Sequence, residues 1–176
     1  MLFPASLRDL LLRAAEAGIY TPYWSDTILE EALRNLIATD RMTAQQAARL
    51  QHQLELFFPD AFVRGFDALI PTLTCDAKDR HVLAAAIHAD AGVIVTNNLK
   101  DFPVDSLTPY HIDTQHPDAF LVNLYREDDM TMVRVVREQA AGLRHPSLTF
   151  EQVLDVLAQH VPRFVALVSS SRQADP

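Results

Sequence analysis

Cysteine is nearly absent from this 176-residue chain. Cys75 stands alone, which excludes an intrachain disulfide framework and a zinc site built on cysteine. No apolar run approaches the roughly 20 residues needed to span a bilayer. The opening Met1-Leu2-Phe3-Pro4-Ala5-Ser6-Leu7-Arg8 has no basic region leading into an apolar stretch, so no signal peptide is expected. A cytoplasmic protein, with no membrane partner, is the simplest expectation. Positive charge is scarce as well: 15 basic residues face 23 acidic ones, a formal net charge of −8. That balance argues against broad, non-specific nucleic-acid binding through a basic face. Of the 15 basic residues 13 are arginine, whose planar fork suits phosphate oxygens, although a genome rich in arginine codons produces the same bias. Internal repeats and low-complexity tracts are missing too.

What is present reads as an α/β fold followed by a helical region. Leu7, Leu10, Leu11 and Ala14 recur at helical spacing between Pro4 and Ala17, with Gly18 as a stop. Ile19 to Trp24 is rich in β-branched and aromatic residues and reads as a short strand, with Trp24 in the core. Ser25 is placed to cap a helix running through Leu36. Thr43 and Gln46 fit a capping box for a helix to about Phe57. Between Pro59 and Thr74, Ala68-Leu69-Ile70 reads as a short strand. The stretch Asp76 to Ala89 reads as a helix, and Val93-Ile94-Val95 as a buried parallel strand. Helices alternating with short buried strands point to an α/β architecture. Beyond Pro109 the pattern turns helical, around 117–125, 127–141, 149–158 and 161–170. The expected boundary falls near residue 112, giving domains 1–112 and 113–176.

Three segments carry carboxylates at the ends of these elements: Ser25-Asp26-Thr27-Ile28-Leu29-Glu30-Glu31, Cys75-Asp76-Ala77-Lys78-Asp79-Arg80-His81 and Val95-Thr96-Asn97-Asn98-Leu99-Lys100-Asp101-Phe102-Pro103. In an open α/β sheet, functional groups gather beyond the carboxyl ends of the strands. Asn98 and Asp101 follow an apolar strand in that way. Carboxylates brought together there would repel and would call for a hard cation with oxygen ligands, Mg²⁺ or Mn²⁺.

In this order and spacing the three segments resemble the PIN-domain family, in particular the branch whose last motif reads Thr-x-Asn-x-x-Asp-Phe-Pro. The likeness covers roughly residues 1–112. The tail from about 113 resembles an extension found on some VapC-type toxins. The resemblance implies a parallel sheet flanked by helices and an endoribonuclease dependent on Mg²⁺ or Mn²⁺, the toxin of a type II toxin–antitoxin pair. RNA would be the substrate, a cognate antitoxin the protein partner, and a homodimer a further assembly. Carried over by position, Glu31, Asp79 and Asp101 would be the catalytic metal ligands. Glu31 is preferred to Glu30 because it lies six residues after Ser25 and shares a helix face with Ile28 and Asn35. Asp76, Thr96 and Asn98 would support the same pocket. Asn98 replaces a carboxylate present in some relatives, which would lower the site's charge and weaken a second metal. Arg8, Arg80 and Lys100 would meet the RNA backbone.

Each of these residues also has a plainer role available. Asp76 is a good N-cap with Asp79 three residues into the helix. Glu30 and Glu31 suit a solvated helix face, and Asp101 an ordinary turn. His81 and His88 lie seven apart on one helix, a spacing that chance also produces, and they are not expected to bind metal.

The family's first strand ends in an aspartate that is the first metal ligand, within a motif close to Asp-x-Asn-Val-Leu. This sequence enters that motif at its valine. Either a GTG start codon is written as Met1 and the working protein begins upstream, or the strand is lost. Removing a central strand would orphan buried backbone groups at about 1–3 kcal/mol each, against a usual margin of about 5–15 kcal/mol. The expectation is therefore that the chain as written is unstable or inactive and that an extended form is the enzyme. The alternative is a catalytically impaired PIN-like protein that binds RNA or an antitoxin without cleaving.

Overall fold

A computed structural model describes residues 3–144 and 146–171. Met1 and Leu2, on which the reading of the chain's start falls, lie outside them. Among the described residues there are nine α-helices: α1 (Ala5–Glu16), α2 (Asp26–Ala38), α3 (Ala44–Phe57), α4 (Arg80–His88), α5 (Val104–Leu107), α6 (Pro117–Glu127), α7 (Asp129–Gly142), α8 (Phe150–Ala158) and α9 (Pro162–Ser171). Two strands, β1 (Val93–Val95) and β2 (Asp113–Gln115), pair in parallel. The molecule is thus mostly helical around a small parallel sheet, as a PIN-like α/β fold with a helical C-terminal region requires.

The described residues divide into two compact units, Pro22–Thr114, and Phe3–Thr21 with those from Gln115 onward. Where the sequence suggested domains 1–112 and 113–176, the first helix belongs instead with the C-terminal helices. The reason is the apolar stripe of α1: Leu7, Leu10, Leu11 and Ala14 are all buried, and α1 packs on α7 and α8. A stripe of that width must be covered by another element.

In the first unit, local chemistry sets the helix starts. The Ser25 hydroxyl accepts from Ile28 N at 3.2 Å, and Thr43 with Gln46 forms the reciprocal capping box. The core gathers Val63, Phe66, Leu73, Cys75, Leu83, Ala84, Ile94, Phe102, Leu107 and Ile112. Leu83 is wholly inaccessible there, and its loss to alanine would cost about 2–5 kcal/mol. Two expected strands are absent among the described residues. Ile19 to Trp24 is broken by the left-handed turn at Gly18 (φ 77°) and by Pro22, which has no N–H to donate. Only an isolated parallel bridge between Trp24 and Phe62 remains, with the indole edge-on to Phe58 and Phe62. Ala68-Leu69-Ile70 lies in a 3-10 helix, Asp67–Thr72, because Leu69 N bonds locally to Phe66 O at 2.9 Å. The short strand β2 carried too little apolar pattern to be anticipated.

In the second unit a buried carboxylate ties two helices. Asp118, in the first turn of α6, is 6% exposed. Its oxygens accept from Phe164 N at 3.0 Å and Arg163 N at 3.4 Å, the first free amides of α9. It therefore caps α9 from a distant part of the chain and faces the positive end of that helix. Asp118→Ala should orphan both amides and destabilise the protein by about 2–3 kcal/mol, read as a lower midpoint in urea unfolding; an unchanged midpoint would show that the cap contributes nothing.

Candidate active site

The first unit holds every acidic candidate. Glu31 projects from α2 beside the buried Ala32 and Leu33 and is half-buried, whereas Glu30 and Asn35 are exposed. α2 contacts α4, and there Glu31 Oε2 stands 3.4 Å from His81 Nε2. The alignment is not that of a hydrogen bond, since His81 Nε2 is buried without a partner of that kind. The contact is electrostatic in character and depends on the imidazole's protonation.

Asp79 is held by the turn before α4. Asp76 Oδ1 accepts from Lys78 N at 3.1 Å, an Asx turn, and Asp79 N donates to Asp76 O at 2.9 Å. This local bonding competes with helix, so α4 begins at Arg80 rather than at Asp76. Asp76 is consequently not the N-cap. Asp79 occupies that position, yet its side chain makes no capping bond. Its carboxylate turns elsewhere, and Oδ2 is buried with no hydrogen-bond partner.

The third segment supplies the group that meets it. β1 ends at Val95, and Thr96 Oγ1 accepts from Asn98 N at 3.1 Å, turning the chain into a short 3-10 segment, Leu99–Asp101. Phe102 anchors this turn in the core. Asn98 Nδ2 donates a short hydrogen bond to Asp101 Oδ2. Asp101 and Asp79 then interact directly, and the Lys78 ammonium contacts both, 3.3 Å from Asp101 Oδ2 and 3.8 Å from Asp79 Oδ2. Burial raises the Asp79 carboxyl above its ordinary value, the neighbouring Asp101 charge raises it further, and Lys78 opposes the rise. Hydrogen bonding to Asp101, with the charges of Asp101 and Asp76, raises the Lys78 ammonium.

Asp79, Asp101 and Asn98 therefore come together, with Thr96 shaping the turn and Asp76 on the rim. Glu31 faces His81, and among the described residues no three acidic, histidine or cysteine side chains form a metal-sized cluster. Of the basic residues expected at RNA, Lys100 is exposed beside Asp101. Arg80 Nε donates to Cys75 O at 3.2 Å. Arg8 lies in the other unit and donates to Phe3 O at 3.3 Å. One participant escaped sequence reading, Lys78, and the contact of His81 with Glu31 was not foreseen. The only signal for Lys78 was a cation set between two aspartates.

This geometry belongs to a recognisable class. Residues 1–100 match the family described as PIN domain, more than half of the chain, and the chain belongs to the PIN-domain family. Residues 117–170 match the family described as VapC50 C-terminal domain. Over 106 residues the chain is 42% identical to the Mycobacterium tuberculosis (strain ATCC 25618 / H37Rv) protein named "Putative ribonuclease VapC50", covering 60% of this chain and 63% of that relative's length. No solved structure gives a match.

The donor set can be tested against the divalent cation that the family implies. Two facing carboxylates, one with a buried oxygen lacking a hydrogen-bond donor, and an amine cation already against both, form an oxygen-rich site suited to a hard cation. Asp79 and Asp101 fit such an ion; Glu31 stands against His81 and not with the pair. The raised Asp79 value carries a stability consequence. The folded state holds that proton more tightly than the unfolded chain, so the contribution is full below the ordinary carboxylate range and is lost as pH rises through the folded value. At neutral pH the charged Asp79 opposes folding. In metal-free buffer, Asp79→Asn should raise Tm at pH 7 by a few degrees at most, and the difference should vanish below about pH 4; a lower Tm at pH 7 would contradict this.

Proposed function

We propose that this chain is a metal-dependent endoribonuclease, the toxin of a type II toxin–antitoxin pair, acting in the cytoplasm. The observation that carries the reading is the convergence of Asp79 and Asp101, from separate segments, on the Lys78 ammonium in a chain of the PIN-domain family. The ribonuclease named among its relatives supports it.

Bound Mg²⁺ or Mn²⁺ would activate water for in-line attack on the RNA phosphodiester, polarise the phosphoryl oxygen and stabilise the leaving oxygen. Asp79 and Asp101 would hold the cation through carboxylate oxygens. Asn98 fixes the orientation of Asp101 through its amide, the outer support on which such ligands depend. Glu31, which stands against His81, would have to turn toward the pair to serve as the third acid. Asp76 and Thr96 shape the two turns. Lys100 is the best placed of the three basic candidates to meet a phosphate; Arg80 and Arg8 would first have to leave backbone carbonyls. The antitoxin, and a second copy of the chain, are the protein partners this reading brings with it.

A second reading has its own support. Glu31 stands apart from the aspartate pair, and Asn98 supplies an amide where a further carboxylate would add charge. A protein that binds RNA or an antitoxin without cutting would have such a site.

Cleavage of total RNA in Mn²⁺ separates the two. Wild type should cut, which would overturn the expectation that the chain starting at Met1 is inactive; EDTA should stop it, and Asp79→Asn and Asp101→Asn should each lose more than about 100-fold, beyond the 10–100-fold typical of groups that only orient a ligand. Equal cleavage by wild type and both variants would exclude the assignment. RNA binding without cleavage by all three would establish the second reading. Co-purification with the product of a small neighbouring gene tests the antitoxin.

A further inference from the structure

Lys78 is the one participant in this cluster that neither the mechanism nor the three-segment pattern calls for. Its backbone cannot drift, because Lys78 N is held by Asp76 Oδ1 at 3.1 Å and the next residue is Asp79 itself. Its Nζ lies 3.3 Å from Asp101 Oδ2 and 3.8 Å from Asp79 Oδ2. The side chain is nevertheless 64% exposed, so a rotation about its four-carbon stem returns the ammonium to water at little cost. The carboxylates cannot follow: Asp79 and Asp101 are 23% and 19% exposed, and Phe102 and the α4 N-terminus fix them from behind.

We propose that Lys78 is a built-in counterion of the Asp79–Asp101 pair that competes with a divalent cation for it and sets the cation concentration the site requires. The inference rests on the metal-binding reading given above. Without a cation the two carboxylates face one another at close range, which like charges resist, and the ammonium relieves that repulsion. A divalent ion would coordinate both carboxylates directly, and Lys78 must then withdraw, because a cation at contact distance from a second cation is repelled. Removing the lysine charge therefore removes both the occupant and the repulsion. For a pair this exposed the two effects together amount to roughly three- to tenfold in affinity.

The test is Mn²⁺ binding to the full chain without RNA, by titration calorimetry and water-proton relaxation, for wild type, Lys78→Met and Lys78→Arg. Methionine keeps the apolar stem without the charge; arginine keeps the charge. Lys78→Met should bind Mn²⁺ about three- to tenfold more tightly than wild type, Lys78→Arg should stay within about twofold of it, and the gap should narrow in high monovalent salt. Unchanged or weaker binding by Lys78→Met overturns the proposal and leaves the metal site standing. No binding by any of the three proteins overturns both. Because Lys78 is exposed, circular dichroism should find all three equally folded.

Discussion

Two aspartates from segments 22 residues apart are pressed together, and much of the first unit can be understood as the means of holding them there. Neither can retreat. Asp101 is chained to Phe102, which sits in the core, and Asp79 is chained to α4, whose Leu83, Ala84 and Ala85 fill the same core. Hydrophobic burial therefore fixes the positions of two charges that would otherwise separate. Side chains such as Phe102 and Leu83 are worth about 1.5–3 kcal/mol each when fully buried, enough to outweigh the repulsion of a partly solvated carboxylate pair. The unfavourable charge is left at the rim, where the protein answers it with Lys78 and with the amide of Asn98.

The second unit shows how differently a carboxylate is treated when its role is structural. Asp118 is more deeply buried than either aspartate of the cluster, yet both its oxygens accept amides from the start of α9. It faces a positive helix end, and two amides of that end take up its charge. Asp79 stands at a helix start too, but it ignores the amides there and leaves Oδ2 buried without a hydrogen bond. A buried acceptor left open costs on the order of 1–3 kcal/mol. Strain of this kind at a local rule-breaking position is what a site for a ligand looks like, and its absence at Asp118 is what a cap looks like.

The same contrast explains what could be read from the sequence. Caps are local, so Ser25 and the Thr43–Gln46 box announced α2 and α3 correctly, and the apolar run 93–95 announced β1. Glu31 was chosen over Glu30 on its spacing from Ser25 in the family pattern and on its helix face; Glu31 is half-buried and Glu30 exposed, but Asn35, placed on the same face, is exposed. Strand formation is not local. Ile19 to Trp24 has strand composition, but Gly18 and Pro22 break its backbone, and Ala68 to Ile70 closed its own 3-10 bonds before any partner strand could claim them. Nor was the allegiance of α1 legible: its apolar stripe says that it must be covered, not by which helices. Within the site, order along the chain singled out Asp79 and Asp101. Lys78 was missed because its partner lies 23 residues away, and the His81–Glu31 contact because the two lie on different helices.

The chain's negative balance then takes on a specific meaning. A phosphodiester is an anion, and it cannot approach two carboxylates in a protein of net charge −8 unless the local field is reversed. One ammonium leaves the Asp79–Asp101 pair still negative; a divalent ion would neutralise it and lift the field there. On the nuclease reading, cation binding and RNA binding are therefore one coupled event, and the scarcity of basic residues becomes a safeguard: without the cation, this surface repels nucleic acid. Asn98 works in the same direction, since a third carboxylate at that turn would demand a second cation before the field changed sign.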